Sequence, residues 1–579
     1  MNTPPVHRAL ALTAWIAGVF CLLVCGVMME EHFAAGTNEP WTSPQLLALR
    51  EKLAAEPKNA ALQKEIRQLD LKFRRKFRRR LALDKTGGWL LAGGGLMLVL
   101  AAARAAALKK PLPQPQPEDG AREQAVKQAA RARWSLAGAG LAAAGSLLII
   151  RLGHTSVLPA NPDAWQKLAV KTGAPETPME NAPALSEFQA NWPRFRGWDG
   201  GGVSVPASNA VAGILWRSAI PLPGNNSPIA WGERVFISGG TAARREVYCY
   251  NASSGALLWQ RAIENVPGSP PKVPAVPEDT GYAAPTMATD GRRVYAIFAN
   301  GDLAALEFDG SVAWTKYLGP LNNPYGCATS LATWGNNLLI QLDQGGSRPA
   351  GSKLISLQGA SGRVLWERPR PVPASWATPI VIEAAGKTQI ITLADPWVIS
   401  YALAGGNELW RARLLENEIV PSPVFGGGLL LLISPGARLL ALRPDGAGDV
   451  TKTHLAWASE ENVPDIASPV SNGELVFTVT SSGMAACFET RDGKKLWEKE
   501  LGTDVQASPG IMDGRLFILG EHGPLVMLQA GREFHEMGRI PVPDKFVASP
   551  AFAGGHVFLR GVTNLYSLGP AASGLARQP

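Results

Sequence analysis

Cysteine is scarce in this chain, five in 579 residues. None are adjacent, and none stand in a C-x-x-C or C-x-x-C-H pattern, which excludes a disulfide framework, a zinc ribbon, c-type haem attachment and thioredoxin-like chemistry. Cys21 and Cys25 lie in an apolar run, whereas Cys249, Cys327 and Cys487 sit in β-like segments where a small buried thiol is ordinary. Charge is also thin, at 18% of residues against 46% hydrophobic, so a disordered chain is excluded. Net charge is +8, but it is unevenly placed: residues 1–151 carry 22 Lys+Arg against 11 Asp+Glu, and the remainder carries 34 against 37. The large C-terminal part therefore has no electrostatic footprint for nucleic acid.

What is present in the first quarter reads as a membrane anchor, residues 1–151. Residues 9–29, 87–103 and 134–150 are free of charge, and each approaches the length that spans about 30 Å of hydrocarbon. The first follows Arg8 as a secretory signal would, but it is long for one and no small-x-small cleavage site follows, which favours a retained helix. The second and third are rich in small residues, such as Gly93-Gly94-Gly95 and Gly138-Ala139-Gly140, that let helix backbones approach in lipid. Between the first two spans, residues 44–83 read as helix-turn-helix, with Ser43 and Pro44 as N-cap and first helical residue and a break at Glu56-Pro57. Its second arm ends in a basic cluster from Arg74 to Arg80, suited to anionic headgroups. The loop 104–133 carries seven Lys+Arg, so it and the 74–80 cluster compete for the cytoplasmic side, and charge counting leaves the topology open. Residues 152–190, rich in Pro, Ala and polar groups, read as a spacer.

From residue 191 to 570 the chain is periodic, followed by a tail at 571–579. Trp216, Trp259, Trp314, Trp366, Trp410, Trp457 and Trp497 recur every 40–55 residues, and five have glycine four positions earlier: Gly255, Gly310, Gly362, Gly406 and Gly493. An alternating strand precedes each glycine, so the unit is a strand, a hairpin turn needing positive φ, and a strand ending in Trp. A second marker runs out of phase: Ser227-Pro228, Ala284-Pro285, Thr329-Ser330, Thr378-Pro379, Ser422-Pro423, Ser468-Pro469, Ser508-Pro509 and Ser549-Pro550. Eight units with turn signals for four strands each predict an eight-bladed β-propeller, all-β, behind the helical anchor of about three spans. The orphan strand Gly213-Ile214-Leu215-Trp216 is then the outer strand of the last blade, and Met537 is expected to replace Trp in the packing of the seventh. The seven Trp residues are expected to lie between neighbouring blades.

These repeats resemble the pyrroloquinoline quinone (PQQ)-like propeller family, shared by quinoprotein alcohol dehydrogenases and BamB-like outer-membrane assembly factors. The segment Asn191-Trp192-Pro193-Arg194-Phe195-Arg196-Gly197 is similar to the Trp-Pro-x-x-Arg-Gly lead-in of bacterial PQQ-binding-like repeat proteins. The resemblance implies the propeller fold and, because family members work on the outer side of the bacterial inner membrane, a periplasmic propeller on the multi-pass inner-membrane anchor that the uncharged runs predict. It also offers two functions, because such rings host both scaffolds and enzymes.

A quinoprotein of this family holds PQQ between a Trp and a disulfide of adjacent cysteines, with calcium on carboxylate and amide oxygens and an Asp as base. Here there is no adjacent Cys pair and no insertion with clustered Asp, Glu and Asn, although membrane glucose dehydrogenases of the family lack that disulfide. Asp199 lies in a turn of the lead-in, Gly386-Lys387-Thr388 lacks the first glycine of a phosphate loop, and His454, His522, His535 and His556 fall in separate units. No catalytic residue, cofactor or metal ligand is therefore assigned. The expected function is a membrane-tethered, non-enzymatic binding or scaffold module with a protein partner in the envelope and no nucleic acid. The alternative is a membrane-bound PQQ-dependent alcohol or sugar dehydrogenase with calcium, and a redox-complex accessory role is a third.

Overall fold

The computed structural model describes residues 12–21, 24–25, 91, 93–95, 97–104, 183–205, 211–271, 274–324, 326–346 and 351–570. They fall in two compact units, Met1–Thr155 and Ser156–Pro579.

In the first unit, residues 12–21 and 97–104 are helical. Small residues stand where these helices meet: a Cβ on Gly94 would lie 2.7 Å from the Cys21 sulfur, and one on Gly18 would lie 3.8 Å from Leu98. Among the described residues no helix is long and apolar enough to cross a membrane. The run at 134–150, the helix-turn-helix at 44–83 and the basic cluster at 74–80 lie outside the described residues.

The second unit is built from one local rule used eight times. In each blade two largely buried central strands are flanked by an inner strand and a half-exposed outer one, joined by tight turns that include positive-φ glycines, and each set of four closes into an antiparallel sheet. Blades 1 to 7 span residues 229–262, 288–317, 332–369, 380–413, 424–459, 470–500 and 510–540 in chain order. Blade 8 is made from 551–569 and from the strand Gly213–Ala219, which pairs antiparallel with Asn564–Gly569. The ring is thus closed by main-chain bonds between two distant stretches of the chain, an arrangement that leaves no open end.

Every blade has a bulge between its third and fourth strands, one residue before the Trp position. In blade 1, Tyr250 faces Leu257 and Cys249 faces Trp259, with Leu258 pushed out. The residue opposite each Trp is small: Ser567, Cys249, Ala305, Ser356, Ser400, Ala441 and Cys487. Two of the buried thiols thus make room for indole rings. Blade 7 corrects the expectation for Met537. That residue occupies the bulge and is 46% exposed, while Gly538 takes the Trp position opposite Met527. The bulk comes instead from Met527, which packs on the core across the strand pair.

The reason blade 7 lacks a Trp lies in blade 8. Elsewhere each indole docks on the next blade's turn between third and fourth strands. Trp216, Trp259, Trp314, Trp366, Trp457 and Trp497 donate from Nε1 to the carbonyls of Ala252, Phe308, Gly359, Leu403, Thr490 and Gly531 at 2.8–3.1 Å. The five glycines Gly255, Gly310, Gly362, Gly406 and Gly493 lie under those rings, where a Cβ would approach carbon atoms to 2.5–2.8 Å. Blade 8 has no such turn, since its outer strand arrives from residue 213, so a Trp on blade 7 would find no carbonyl to meet. Trp410 is the other exception. Blade 5 carries a longer loop there, whose Gly448–Asp449 adds a parallel strand beside Trp410 and Arg411. Trp410 Nε1 accordingly donates to Gln389 Oε1 at 2.9 Å, and Gln389 Nε2 donates to Pro444 O at 2.9 Å.

Candidate functional site

The residues before each first strand build the centre of the ring. Ser227 N–H donates to Thr286 Oγ1, Thr286 N–H to Ser330, Ser330 N–H to Thr378, and the relay continues through Ser422, Ser468, Ser508 and Ser549 back to Ser227. All eight bonds are 2.9–3.1 Å and all eight residues are buried. These residues stand just before the innermost strand of each blade, so the circuit is a belt around the axis. The proline that follows most of these residues has no N–H of its own to satisfy at the strand entrance. In blade 2 the marker is displaced: the belt hydroxyl is Thr286, two residues beyond the Ala284 read from the sequence, because Ala284 has no side-chain hydroxyl.

Just past the belt, the lead-in crosses the ring. Trp192 exchanges two main-chain bonds with Ala230 of blade 1, and Pro193 O accepts from Thr289 N of blade 2 at 2.8 Å. A Cβ on Gly200 would lie 2.7 Å from Ile380 of blade 4, and Arg196 Nη2 donates to Pro469 O of blade 6 at 2.5 Å. Ile511 of blade 7 bonds to Gly202 O and Ser204 N, and the Trp192 ring meets Phe552 of blade 8 at 5.1 Å. Six blades are thus tied by residues 192–204, each through a residue one to three places after its belt position. The lead-in is therefore a cross-strut over the axis.

Its chemistry explains its composition. Arg194 and Arg196 are buried, and burial outweighs the attraction of Asp199, pulling their guanidinium groups down to about 10 and about 9. Burial likewise pushes the Asp199 carboxyl up, although Gly201 N–H donates to it. A Cβ on Gly202 would lie 2.5 Å from Arg196 Nη2, so the glycines make room for the guanidinium as well as for the turn. Asp199 is thus spent on the strut and is not presented as a base. Among the described residues no three His, Cys, Asp or Glu side chains gather as a metal group. The described residues around the axis thus do not fit a calcium-held quinone: the belt hydroxyls are engaged and the strut lies across the centre.

The two ends of the ring differ. The short helix Leu185–Ala190 reaches the hairpin-turn end, with the Phe188 ring 4.9 Å from Trp231. That end also has a polar recess of about 300 Å³ bounded by Gly427, Gly473, Glu489, Arg491 and Arg532, in which Glu489 pairs with both arginines. The opposite end carries the inter-blade loops, including 263–271 and 274–287. His454 stands 3.5 Å from Asp445 in the blade 5 loop, His556 bonds to Ser567 within blade 8, and neither joins a ligand set.

A family model described as outer membrane protein assembly factor BamB matches residues 204–375, 394–532 and 481–569, more than half of the chain. The chain belongs to this family. It is 23% identical over 308 residues to a BamB of Moranella endobia strain PCIT, covering 50% of this chain and 68% of that one. A second relative is a polyvinylalcohol dehydrogenase of Sphingopyxis sp. strain 113P3, 25% identical over 205 residues, 30% of this chain and 29% of that one. Among solved structures, a europium-containing methanol dehydrogenase superposes with a TM-score of 0.52 at 11% identity, over 66% of this chain and 91% of its own. That likeness shows the propeller fold. The BamB-type family thus accounts for the ring, while its matched residues begin at 204 and leave the strut at 192–203 outside.

Proposed function

We propose that the protein is a membrane-tethered β-propeller acting as a non-enzymatic binding or scaffold module in the bacterial cell envelope. The observation that carries this reading is the centre of the ring. Its belt hydroxyls are taken up by neighbouring N–H groups, and its own lead-in crosses the axis that a quinone would need. What is left to bind a partner is loop surface on rigid blades, a preformed site for a protein partner of the envelope. The BamB relatives support the envelope setting.

The tether is supported by the paired helices at 12–21 and 97–104, which leave Leu12, Trp15, Ile16, Met97, Val99 and Leu100 more than half exposed. Lipid is the solvent that suits such a surface, with anionic headgroups at Arg74 to Arg80. A tether raises the local concentration of the propeller for a partner in the same membrane. The propeller is placed in the periplasm.

The test is titration of the purified full chain with PQQ and Ca²⁺. No saturable quinone absorbance and no dye-linked alcohol or sugar oxidation is expected; both together would replace the scaffold with the quinoprotein oxidoreductase that the polyvinylalcohol dehydrogenase relative favours. A reporter fused after Pro579 is expected to be active only outside the cytoplasm, and cytoplasmic activity overturns the placement.

A further inference from the structure

The exposed apolar side chains of the ring are gathered in one sector. Two places before the Trp position, the outer strands of blades 8, 1, 2 and 3 carry Ile214, Leu257, Val312 and Val364. The same place carries Glu408, Lys495 and Glu536 on blades 4, 6 and 7, and the half-buried Leu455 on blade 5. On blades 8 and 1 the bulge residues Leu215 and Leu258 add to the set. These six aliphatic side chains are 38–48% exposed, whereas the loop end has two comparable ones among the described residues, Ile466 and Val562. All four strands begin at the hairpin-turn end, so the six stand on one rim. Between them Trp216, Trp259 and Trp314 lie half-buried on the turns of the following blades. The turn that leads into Leu257, Ala252-Ser253-Ser254-Gly255-Ala256, has no charged residue. Charge elsewhere on this rim is mixed, with Glu233 and Asp309 exposed against Arg292 and Arg363, so apolar contact rather than one sign of charge selects what covers it.

The chain enters the ring at the middle of this sector. A Cβ on Gly291, in the first turn of blade 2, would lie 2.6 Å from Pro183, and Phe188 of the entry helix packs on Trp231 at the first turn of blade 1. Leu185, one turn before Phe188, is exposed. Blades 1 and 2 are the central pair of the four, so a surface on the side from which the chain arrives meets this rim first.

We infer that the rim of blades 8, 1, 2 and 3 is a lipid contact, on which the propeller rests its hairpin-turn end against the bilayer. The inference rests on the tether reading and adds which side of the ring faces the membrane. One plane tilted slightly toward blades 1 and 2 touches all four strand starts and lifts the charged places of blades 4 and 6 clear. Contact is shallow, because the free edge of an outer strand keeps its N–H and C=O groups in water, while aliphatic and indole side chains suit the interface. The loop end is then turned away from the bilayer, open to a partner.

For the test, the full chain with Cys21→Ser and Cys25→Ser receives one new cysteine at a time: Leu257→Cys, Ile214→Cys, Lys495→Cys or Val562→Cys. Each is labelled with an environment-sensitive fluorophore and reconstituted in phosphatidylcholine vesicles; the three native thiols of the ring are buried and stay unlabelled. Lipid carrying a nitroxide near its headgroup is expected to quench the labels at the Leu257 and Ile214 positions at least about twofold more than those at Lys495 and Val562, since an interfacial apolar face sits about 5–10 Å into the headgroup boundary. Adding Leu258→Ser and Val312→Ser is expected to cut the quenching at the Ile214 position by about half or more, with the unfolding midpoint unchanged. Wild type and the Cys21→Ser, Cys25→Ser chain are also floated with vesicles after an alkaline carbonate wash, which reads the tether alone. Flotation with equal quenching at all four positions, or with undiminished quenching in the serine variant, overturns the lipid contact and leaves the tether standing, with a protein as the occupant of this rim. Loss of the chain from the vesicles on washing overturns the tether and this inference with it.

Discussion

The docking of each indole on a neighbour's glycine can be weighed by comparing Gly362→Ala with Gly386→Ala. The two glycines have nearly the same backbone, φ +66° and +69°, and both close hairpin turns. At Gly386 an added Cβ meets nothing within 4 Å, whereas at Gly362 it comes 2.8 Å from two carbons of the Trp314 ring. The backbone penalty for alanine at positive φ is common to both and amounts to about 1–2 kcal/mol. Only Gly362→Ala also lifts the indole, which forfeits the 2.8 Å bond from Trp314 Nε1 to Gly359 O, about 1 kcal/mol. Lost ring packing adds about another 1 kcal/mol. Gly362→Ala is therefore expected to lose about 2 kcal/mol more than Gly386→Ala. Urea unfolding followed by tryptophan fluorescence and by circular dichroism reads both, and the gap appears as a lower midpoint at unchanged slope. Equal losses in the two variants would refute the view that these glycines serve the rings of adjacent blades.

Three further outcomes test other parts of the ring. Ser422→Ala removes the acceptor of the Thr378 N–H, a 2.9 Å bond at a buried position, and is expected to lower stability by about 1–3 kcal/mol, while Ser422→Thr keeps it; equal losses in a denaturant melt would show the belt to be incidental. Asp343→Asn leaves the fully buried Arg370 without its counter-charge and is expected to cost about 3–5 kcal/mol, read as a fall in Tm, and a change within error would remove the pair from the list of structural ties. Burial pushes the thiols of Cys249, Cys327 and Cys487 up to about 12, so they stay protonated and enclosed at pH 8. Alkylation by iodoacetamide mapped by mass spectrometry should reach them only in denaturant; labelling in the folded state would contradict their placement opposite indoles and in the core.

Periodicity carried the ring because it is written in large, rare residues. Trp and Gly at fixed spacing mark each hairpin, and both answer to one contact, the indole of one blade on the turn of the next. The belt shows in the sequence only as a marker, since seven of its bonds span 40–59 residues and the one from Ser549 to Ser227 spans 322, and nothing local shows that the hydroxyl accepts a neighbour's N–H. Blade 2 shows the same limit: Ala284-Pro285 copies the dipeptide, but the belt takes the hydroxyl that reaches the neighbouring N–H, that of Thr286. Met537 sits one place off the ring position because a bulge shifts register by one, and a bulge leaves no mark in a strand of alternating residues.

The strut and the buried Arg560 of blade 8 are the least legible in the sequence, for a common physical reason. Both depend on arginines, which a sequence presents as surface residues and which become informative only once they are seen to be buried. A hint existed in the lead-in, where Arg194 and Arg196 stand among Gly197, Gly200, Gly201 and Gly202. So many glycines next to two long cations mean that backbone gives way to guanidinium, which a solvated loop would not need. At Arg560 no such hint exists, because its surroundings come from Gly224, Asn226 and Ser238, more than 300 residues earlier. Ring closure alone brings them together, where the last blade meets the first.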